Sequence, residues 1–385
     1  MMLTTLLAGL LQAATSGAPA APPMGLPAGA DPRNYPPALP LPDAPGPRQD
    51  WPIREADHVV KNYRFNSGET LPEVRIHYTT LGQPHRNAKG EIDNAVMVLH
   101  GTGGTGKQFL SPNFANELYG PGQPLDITRY WIILPDNVGH GGSSKPSDGL
   151  RMRFPKYGYR DMVTLQHDLL TRGLGIKRMR LIMGTSMGCM HSFLWGEMYP
   201  DVPQALMPLA CEVVEIAGLN RTWRQLLIDG VKADPAWMNG EYKTQPLLGL
   251  RTAASMSIVA GGAPLNAQAR MPTRDQAIEA ARRSVERDVA SRDANDLIYQ
   301  FESSSDYNPW PELEKIKAPT TWINSADDFI NPHGFPYPEQ AVARVPSLKF
   351  RLIPETSLTS GHGTHTSARF WKQDLVDLLA RSEQR

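Results

Sequence analysis

RLIMGTSMGCMHSFLWGEMYP, residues 180–200, decides how this chain folds. An apolar run reads as a strand, Gly184-Thr185-Ser186-Met187-Gly188 follows, and an amphipathic helical pattern begins at once. A G-x-S-x-G pentapeptide alone is weak. Between a strand and a helix it is a turn too tight for side chains beside the serine, which it lifts to the C-terminal edge of a parallel sheet. Ser186 is therefore a nucleophile candidate, and a serine so placed attacks carbonyl carbon through a covalent acyl intermediate.

Outward from this turn, short strand-like runs alternate with longer helix-like ones, the pattern of a mostly parallel sheet flanked by helices. Strands are expected at residues 95–100, 129–135, 179–184, 205–211, 320–325 and 348–354, and helices at 161–172, 187–199 and 370–380. Residues 215–305 break the alternation with helical segments and no convincing strand, and read as an inserted helical lid. Core segments are expected at 54–214 and 306–385. Residues 23–53 are rich in Pro, Gly and Ala and read as a linker or surface arm. Residues 1–22, which open with MMLTTLLAGLLQAATSGAPAA, read as a signal peptide although no Lys or Arg precedes the apolar stretch. Export to a periplasm or medium is expected, the cytoplasm being the alternative.

The 385 residues, 41% hydrophobic and 20% charged, are enough for one large domain with an insertion. Lys plus Arg equals Asp plus Glu at 39 each, which gives no electrostatic footprint for nucleic acid. No later apolar run reaches the roughly 20 residues of a membrane span. Two cysteines, Cys189 and Cys211, exclude a disulfide scaffold, and each reads as a small buried hydrophobe rather than a reactive thiol. Nothing in the sequence says whether they touch.

Acyl chemistry needs more than a serine. His100-Gly101-Thr102 ends the strand AVMVLH, and the loop there supplies one oxyanion N–H, the other coming from the residue after the nucleophile. Thr102 and Met187 are the expected donors. The same glycine loop, Gly101 to Lys107, matches G-x-G-x-x-G and most of a P-loop. Gln108 replaces the Mg²⁺-binding hydroxyl, and no acid about 20 residues on would hold a ribose, so phosphate binding is set aside. Asp136 to Pro146 forms a second glycine-rich turn, whose His140 reads as packed rather than reactive. Acid and base must follow in chain order. Asp327 and Asp328 follow the strand TTWINS, and His362 and His365 follow KFRLIP. Asp328 is preferred because it stands four residues before Pro332, and His362 because it directly follows Gly361. Ser186, Asp328 and His362 form the expected triad. His362, His365 and His333 could be read as metal ligands, but no H-E-x-x-H pattern accompanies them, and neither metal nor cofactor is expected.

Residues 126–200, DITRYWIILPDNVGHGG followed by RDMVTLQHDLLTRGLGIKRMRLIMGTSMGCMHSFLWGEMYP, resemble the homoserine O-acetyltransferase branch of the α/β-hydrolases. The resemblance covers about residues 73–210 and 306 to the C-terminus and fades in the lid. It implies the α/β-hydrolase fold and the same triad. It also marks departures. Members that acylate homoserine place an aspartate after the catalytic histidine, where this chain has Gly363. The family's lid arginine falls on Ala254, with Arg251 nearby, and the GSTGP-type loop is replaced by Gly141-Gly142-Ser143-Ser144-Lys145-Pro146. The expectation is a hydrolase of a small-molecule carboxylic ester acting through an acyl-enzyme on Ser186. The alternative is an acyl-CoA-dependent O-acyltransferase of the homoserine type. Relatives of this kind pair through lid helices, which implies a homodimer.

Overall fold

The structure, a computed structural model, describes residues 29, 31–34 and 37–383. Residues 1–22, expected as a signal peptide, lie outside them. Eight strands form one sheet in the order β1-β2-β4-β3-β5-β6-β7-β8. They are β1 (Arg54–Arg64), β2 (Thr70–Leu81), β3 (Ala95–Leu99), β4 (Trp131–Pro135), β5 (Leu181–Thr185), β6 (Leu206–Leu209), β7 (Thr320–Ser325) and β8 (Leu348–Ile353). β1 and β2 are antiparallel to their neighbours, and β4, β3, β5, β6, β7 and β8 run parallel. The six expected strands are all present, each shifted by at most two residues at an end. The β1–β2 hairpin is additional. Only Val60 of β1 is buried, so the strand has no apolar alternation for a sequence reading to detect.

The helices are α1 (Pro112–Leu118), α2 (Tyr159–Asp168), α3 (Met187–Met198), α4 (Gly218–Lys232), α5 (Leu247–Ala260), α6 (Pro264–Arg270), α7 (Arg274–Ala290), α8 (Ala294–Glu302), α9 (Tyr337–Arg344) and α10 (Lys372–Ser382). The sheet is covered on both faces. One face packs Met97, Ile133 and Ile182 against α2 and α3, and the other packs Val98, Leu134 and Met183 against α1 and α10. This explains the all-apolar central strands, since a parallel sheet buried on both sides has no solvent face. α3 departs from the amphipathic expectation: every residue from Met187 to Glu197 is buried. It lies between the sheet and α2 and is a core helix.

Between β6 and β7 the described chain is helical, α4 to α8, with its own apolar cluster built on Trp223, Leu227, Leu250 and Phe301. The arm before β1 runs over the surface, tied where Ser357 Oγ donates to Pro40 O at 2.6 Å and Asn116 Nδ2 to Pro47 O at 3.0 Å. The cysteines are not two separate buried hydrophobes. Cys189 of α3 and Cys211, just past β6, form a disulfide with their Cα atoms 5.8 Å apart. Their sequence separation of 22 hides the contact, which exists only because β5 and β6 are sheet neighbours.

Candidate active site

Ser186 occupies the turn from β5 into α3 with φ 56° and ψ −112°. A non-glycine residue held there costs on the order of 1–3 kcal/mol, which the surrounding packing must outweigh. The flanking glycines permit the turn. A Cβ on Gly184 would lie 2.3 Å from Gly188 O, and one on Gly188 would lie 2.0 Å from Leu99 O. The Ser186 N–H donates to Leu209 O at 2.8 Å, so the strained residue is tied to the neighbouring strand.

The loops after β7 and β8 bring the acid and base to the same sheet edge. His362 Nε2 lies 2.8 Å from Ser186 Oγ, and His362 Nδ1 lies 2.7 Å from Asp328 Oδ2. Burial works to raise the Asp328 carboxyl, but the facing His362 ring and the Asn331 amide outweigh it and hold the group below the usual carboxylate range. Asp328 Oδ1 accepts from the N–H groups of Ile330 (2.9 Å) and Asn331 (3.3 Å), and Oδ2 also accepts from Asn331 Nδ2 (2.9 Å). Asp327 faces the other way. Its Oδ2 accepts from Thr359 Oγ1 at 2.8 Å and from the Gly361 N–H at 2.9 Å, and Ser325 Oγ donates to its other oxygen. It fastens the histidine loop to the end of β7. His365 lies behind His362, ring centroids 4.9 Å apart, and burial followed by the neighbouring His362 pushes it down to about 3. His333 is exposed, and among the described residues no three His, Cys, Asp or Glu side chains gather as a metal site.

Gly101 lies against the serine, a Cβ there being 3.4 Å from Ser186 Cβ, and Thr102 follows it in the same loop. Met187 is the first residue of α3, where the backbone N–H has no partner within the helix. Asp136 closes the two glycine-rich turns together by accepting from the N–H groups of Gly106 (2.7 Å) and Gly142 (2.8 Å). A carboxylate in that cradle is the wrong charge for phosphate, and Lys107 pairs outward with Glu55. His140 is buried against His100, ring centroids 4.9 Å apart, and burial lowers it well below its ordinary value.

Two residues of this edge have no sequence signal in isolation. Asn331 Nδ2 bridges Asp328 and Ala210 O, the latter at 3.1 Å, so it holds the acid against β6. Glu212 follows Cys211 and has one carboxylate oxygen buried with no hydrogen-bond partner. Burial, then the charge of Asp328, pushes it up to about 8. It lines an apolar cavity of about 330 Å³ together with Met190, Asn220, Tyr307, Ile330 and Phe335. The nearest hint in sequence is a lone acid closing an otherwise apolar strand.

The family model described as alpha/beta hydrolase fold matches residues 94–357, which include the serine, the acid and the turns around them. The chain belongs to the α/β-hydrolase fold family. A probable acyltransferase of Methanothermobacter thermautotrophicus is 28% identical over 262 residues, 68% of this chain and 78% of that protein. The homoserine O-acetyltransferase of Chlorobaculum tepidum is 33% identical over 205 residues, 50% of this chain and 54% of that enzyme. This chain thus spans about half the length of that curated relative. Among solved structures, homoserine O-acetyltransferase from Bacillus anthracis superposes with a TM-score of 0.75 at 19% identity, covering 85% of this chain and 97% of that one. An acetylester hydrolase from Corynebacterium glutamicum gives 0.74 at 20% identity, covering 85% and 96%. At such identities the likeness is one of fold. This α/β-hydrolase therefore has both acyltransferases and esterases among its likenesses, and its enzyme class is acyl chemistry of that family.

Proposed function

We propose that this α/β-hydrolase cleaves a small carboxylic ester through an acyl-enzyme on Ser186. The continuous Ser186–His362–Asp328 hydrogen-bond chain carries the reading. Ser186 Oγ bonds to the ester carbonyl carbon as its proton passes to His362 Nε2, and the Thr102 and Met187 N–H groups hold the oxyanion. The C–O bond to the alcohol then breaks, and the alcohol leaves with the proton from His362. Water repeats the sequence on the acyl-enzyme, giving the acid and free Ser186. Asp328 keeps the Nδ1 proton in place and stabilises the imidazolium.

Transfer to homoserine is the second reading, favoured by the names of the curated relatives. This chain's own residues favour water. Gly363 puts no charge beside His362, Ala254 is buried on α5, and Arg251 on the same helix is exposed. A zwitterion entering such a site leaves water around two charges, and each costs several kcal/mol without a fixed partner. The Cys189–Cys211 disulfide supports the oxidising compartment expected from residues 1–22, where acyl-CoA is scarce. Among the described residues no helix is long and apolar enough to cross a membrane. Exposed Leu247, Leu248, Val259 and Leu265 on α5 and α6 support pairing of two copies through the inserted helices. The deciding assay supplies acetyl-CoA with homoserine in one arm and short neutral ethyl esters in the other. Acid release from the esters without O-acetylhomoserine is the expected result, and O-acetylhomoserine formation at a matching rate would overturn it.

A further inference from the structure

A backbone N–H points where its peptide plane is turned. Thr102 shares its peptide with the Gly101 carbonyl, and in a trans peptide the C=O and the N–H point opposite ways. Among the described residues no peptide is cis. Whatever fixes Gly101 O therefore aims the Thr102 N–H, which has no acceptor among the described residues. Two donors hold that oxygen, the Gly104 N–H at 3.0 Å and His100 Nδ1 at 2.9 Å. The first lies within the loop, where Gly103 has φ 74°. The second is a side-chain anchor: His100 directly follows β3 and is fully buried.

His100 can donate at Nδ1 only if its proton is there and Nε2 is bare. The surroundings impose that tautomer. Gly101 O can only accept, and the Asn137 N–H, 3.0 Å from His100 Nε2, can only donate. The Asn137 side chain agrees, and its orientation is set from α3. Trp195 Nε1, a donor only, gives its hydrogen to Gln166 Oε1 at 2.7 Å, and Gln166 Nε2 then donates to Asn137 Oδ1 at 2.5 Å. That leaves Asn137 Nδ2 to donate to His100 Nε2 at 3.1 Å. Trp195, Gln166, Asn137 and His100 are all buried. Burial also pushes the His100 imidazole below its ordinary value, against the nearby charge of Asp136, so the ring is neutral.

We propose that His100 is a positioning residue for the oxyanion site, and that the Trp195–Gln166–Asn137 chain keeps its proton on Nδ1, where it turns the Gly101–Thr102 peptide toward the reacting carbonyl. The inference rests on the acyl-enzyme reading of Ser186 with Thr102 as an oxyanion donor. The chain ends on Gly101, the residue that lies against Ser186. A network serving the core alone has no need to reach that carbonyl.

The test follows ethanol release from ethyl butanoate and from its thionoester, O-ethyl butanethioate, by the full-length protein. Sulfur accepts hydrogen bonds weakly, so the wild type is expected to favour the ester in kcat/KM by at least about tenfold. A variant that is merely less well folded loses both activities alike. His100→Leu is expected to lower kcat on the ester by at least about tenfold, part of the roughly 10²–10³-fold cost of a lost oxyanion donor. The ester-to-thionoester ratio should fall with it. His100→Asn also loses the Nε2 acceptor but keeps an N–H near the Nδ1 position, and should restore the ratio to within about threefold of wild type. A ratio unchanged in His100→Leu, equal falls in both variants, or a wild type without ester preference overturns the proposal. If neither variant folds, the wild type decides: ¹⁵N shifts of the His100 ring should place the proton on Nδ1, and a proton on Nε2 overturns the proposal. Ester turnover with an unchanged ratio leaves the acyl-enzyme reading intact, whereas no wild-type turnover of either substrate overturns both.

Discussion

Replacing Asp328 by asparagine exchanges one oxygen for an NH₂ group and nothing else, and the surroundings dictate which oxygen is lost. Oδ1 accepts from two backbone N–H groups, Ile330 and Asn331, so the amide oxygen must stay there. The NH₂ is then forced to the Oδ2 position, facing His362 Nδ1 at 2.7 Å and the Asn331 Nδ2 donor at 2.9 Å. His362 responds by accepting at Nδ1, which puts its proton on Nε2 and leaves no base for Ser186. Loss of the correct tautomer costs about 10⁴-fold in kcat, or about 5 kcal/mol. The same exchange at Asp327 gives the opposite result. There an amide oxygen in the Oδ2 position keeps both Thr359 and Gly361, and the new NH₂ can donate to a rotated Ser325 hydroxyl. Turnover of Asp327→Asn should therefore fall less than about tenfold. Asp327→Ala strands those donors and should cost about 1–3 kcal/mol of stability for each. Steady-state ester hydrolysis with circular-dichroism melting measures both quantities. An Asp328→Asn enzyme retaining a tenth of wild-type turnover, or an Asp327→Asn enzyme losing 10³-fold or more, would refute the division of labour between the two carboxylates.

Ser186→Ala and His362→Ala are each expected to lower kcat by about 10⁴-fold or more and to add little in combination. His365→Ala should cost stability far more than turnover, and steady-state rates with the reverse ranking would move the base by three residues. Glu212, raised to about 8, is neutral in the fold but ionised in the unfolded chain above its ordinary value of 4.5. Between those values the unfolded state binds fewer protons, so this group's contribution to stability falls as pH rises, by a few kcal/mol in total. Urea titrations at pH 5 and pH 8 should accordingly show Glu212→Gln gaining on wild type with rising pH, and a constant difference would refute the assignment. Reducing the Cys189–Cys211 bond, or replacing both residues by alanine, should cost about 3 kcal/mol from the loop it closes, readable as a lower urea midpoint.

The central strands were legible because burial on both faces makes each a short, wholly apolar run. Ser186 was legible because the steric demands of its turn leave glycine on both sides. The β1–β2 hairpin was not, since its outer strand turns charged residues to solvent and buries only Val60. Local rules also preferred Asp328 to Asp327 and His362 to His365, yet the roles of the second members needed the fold. Asp327 bonds across 34 residues to Gly361, a pairing fixed by two loops arriving at one sheet edge.

The same limit explains the Cys189–Cys211 bond and Asn331, and these form one connected support around Asp328. Cys211 is bonded to the nucleophile helix three residues after Ser186, and its carbonyl accepts from Trp322 Nε1 at 2.9 Å and Asn324 Nδ2 at 3.1 Å on β7. Asn331 then fastens Asp328 to Ala210, the residue before Cys211. Serine and acid are thus both referenced to residues 210 and 211, just past β6, rather than to each other through His362 alone. The inserted helices depart from the same point, since α4 begins seven residues after Cys211. Those helices also bond directly to the loops that carry Asp328 and His362, Asn220 Nδ2 donating to Ile330 O at 3.2 Å and Asn266 Nδ2 to Ser357 O at 2.7 Å, so their position is coupled to the Ser186–His362–Asp328 spacing.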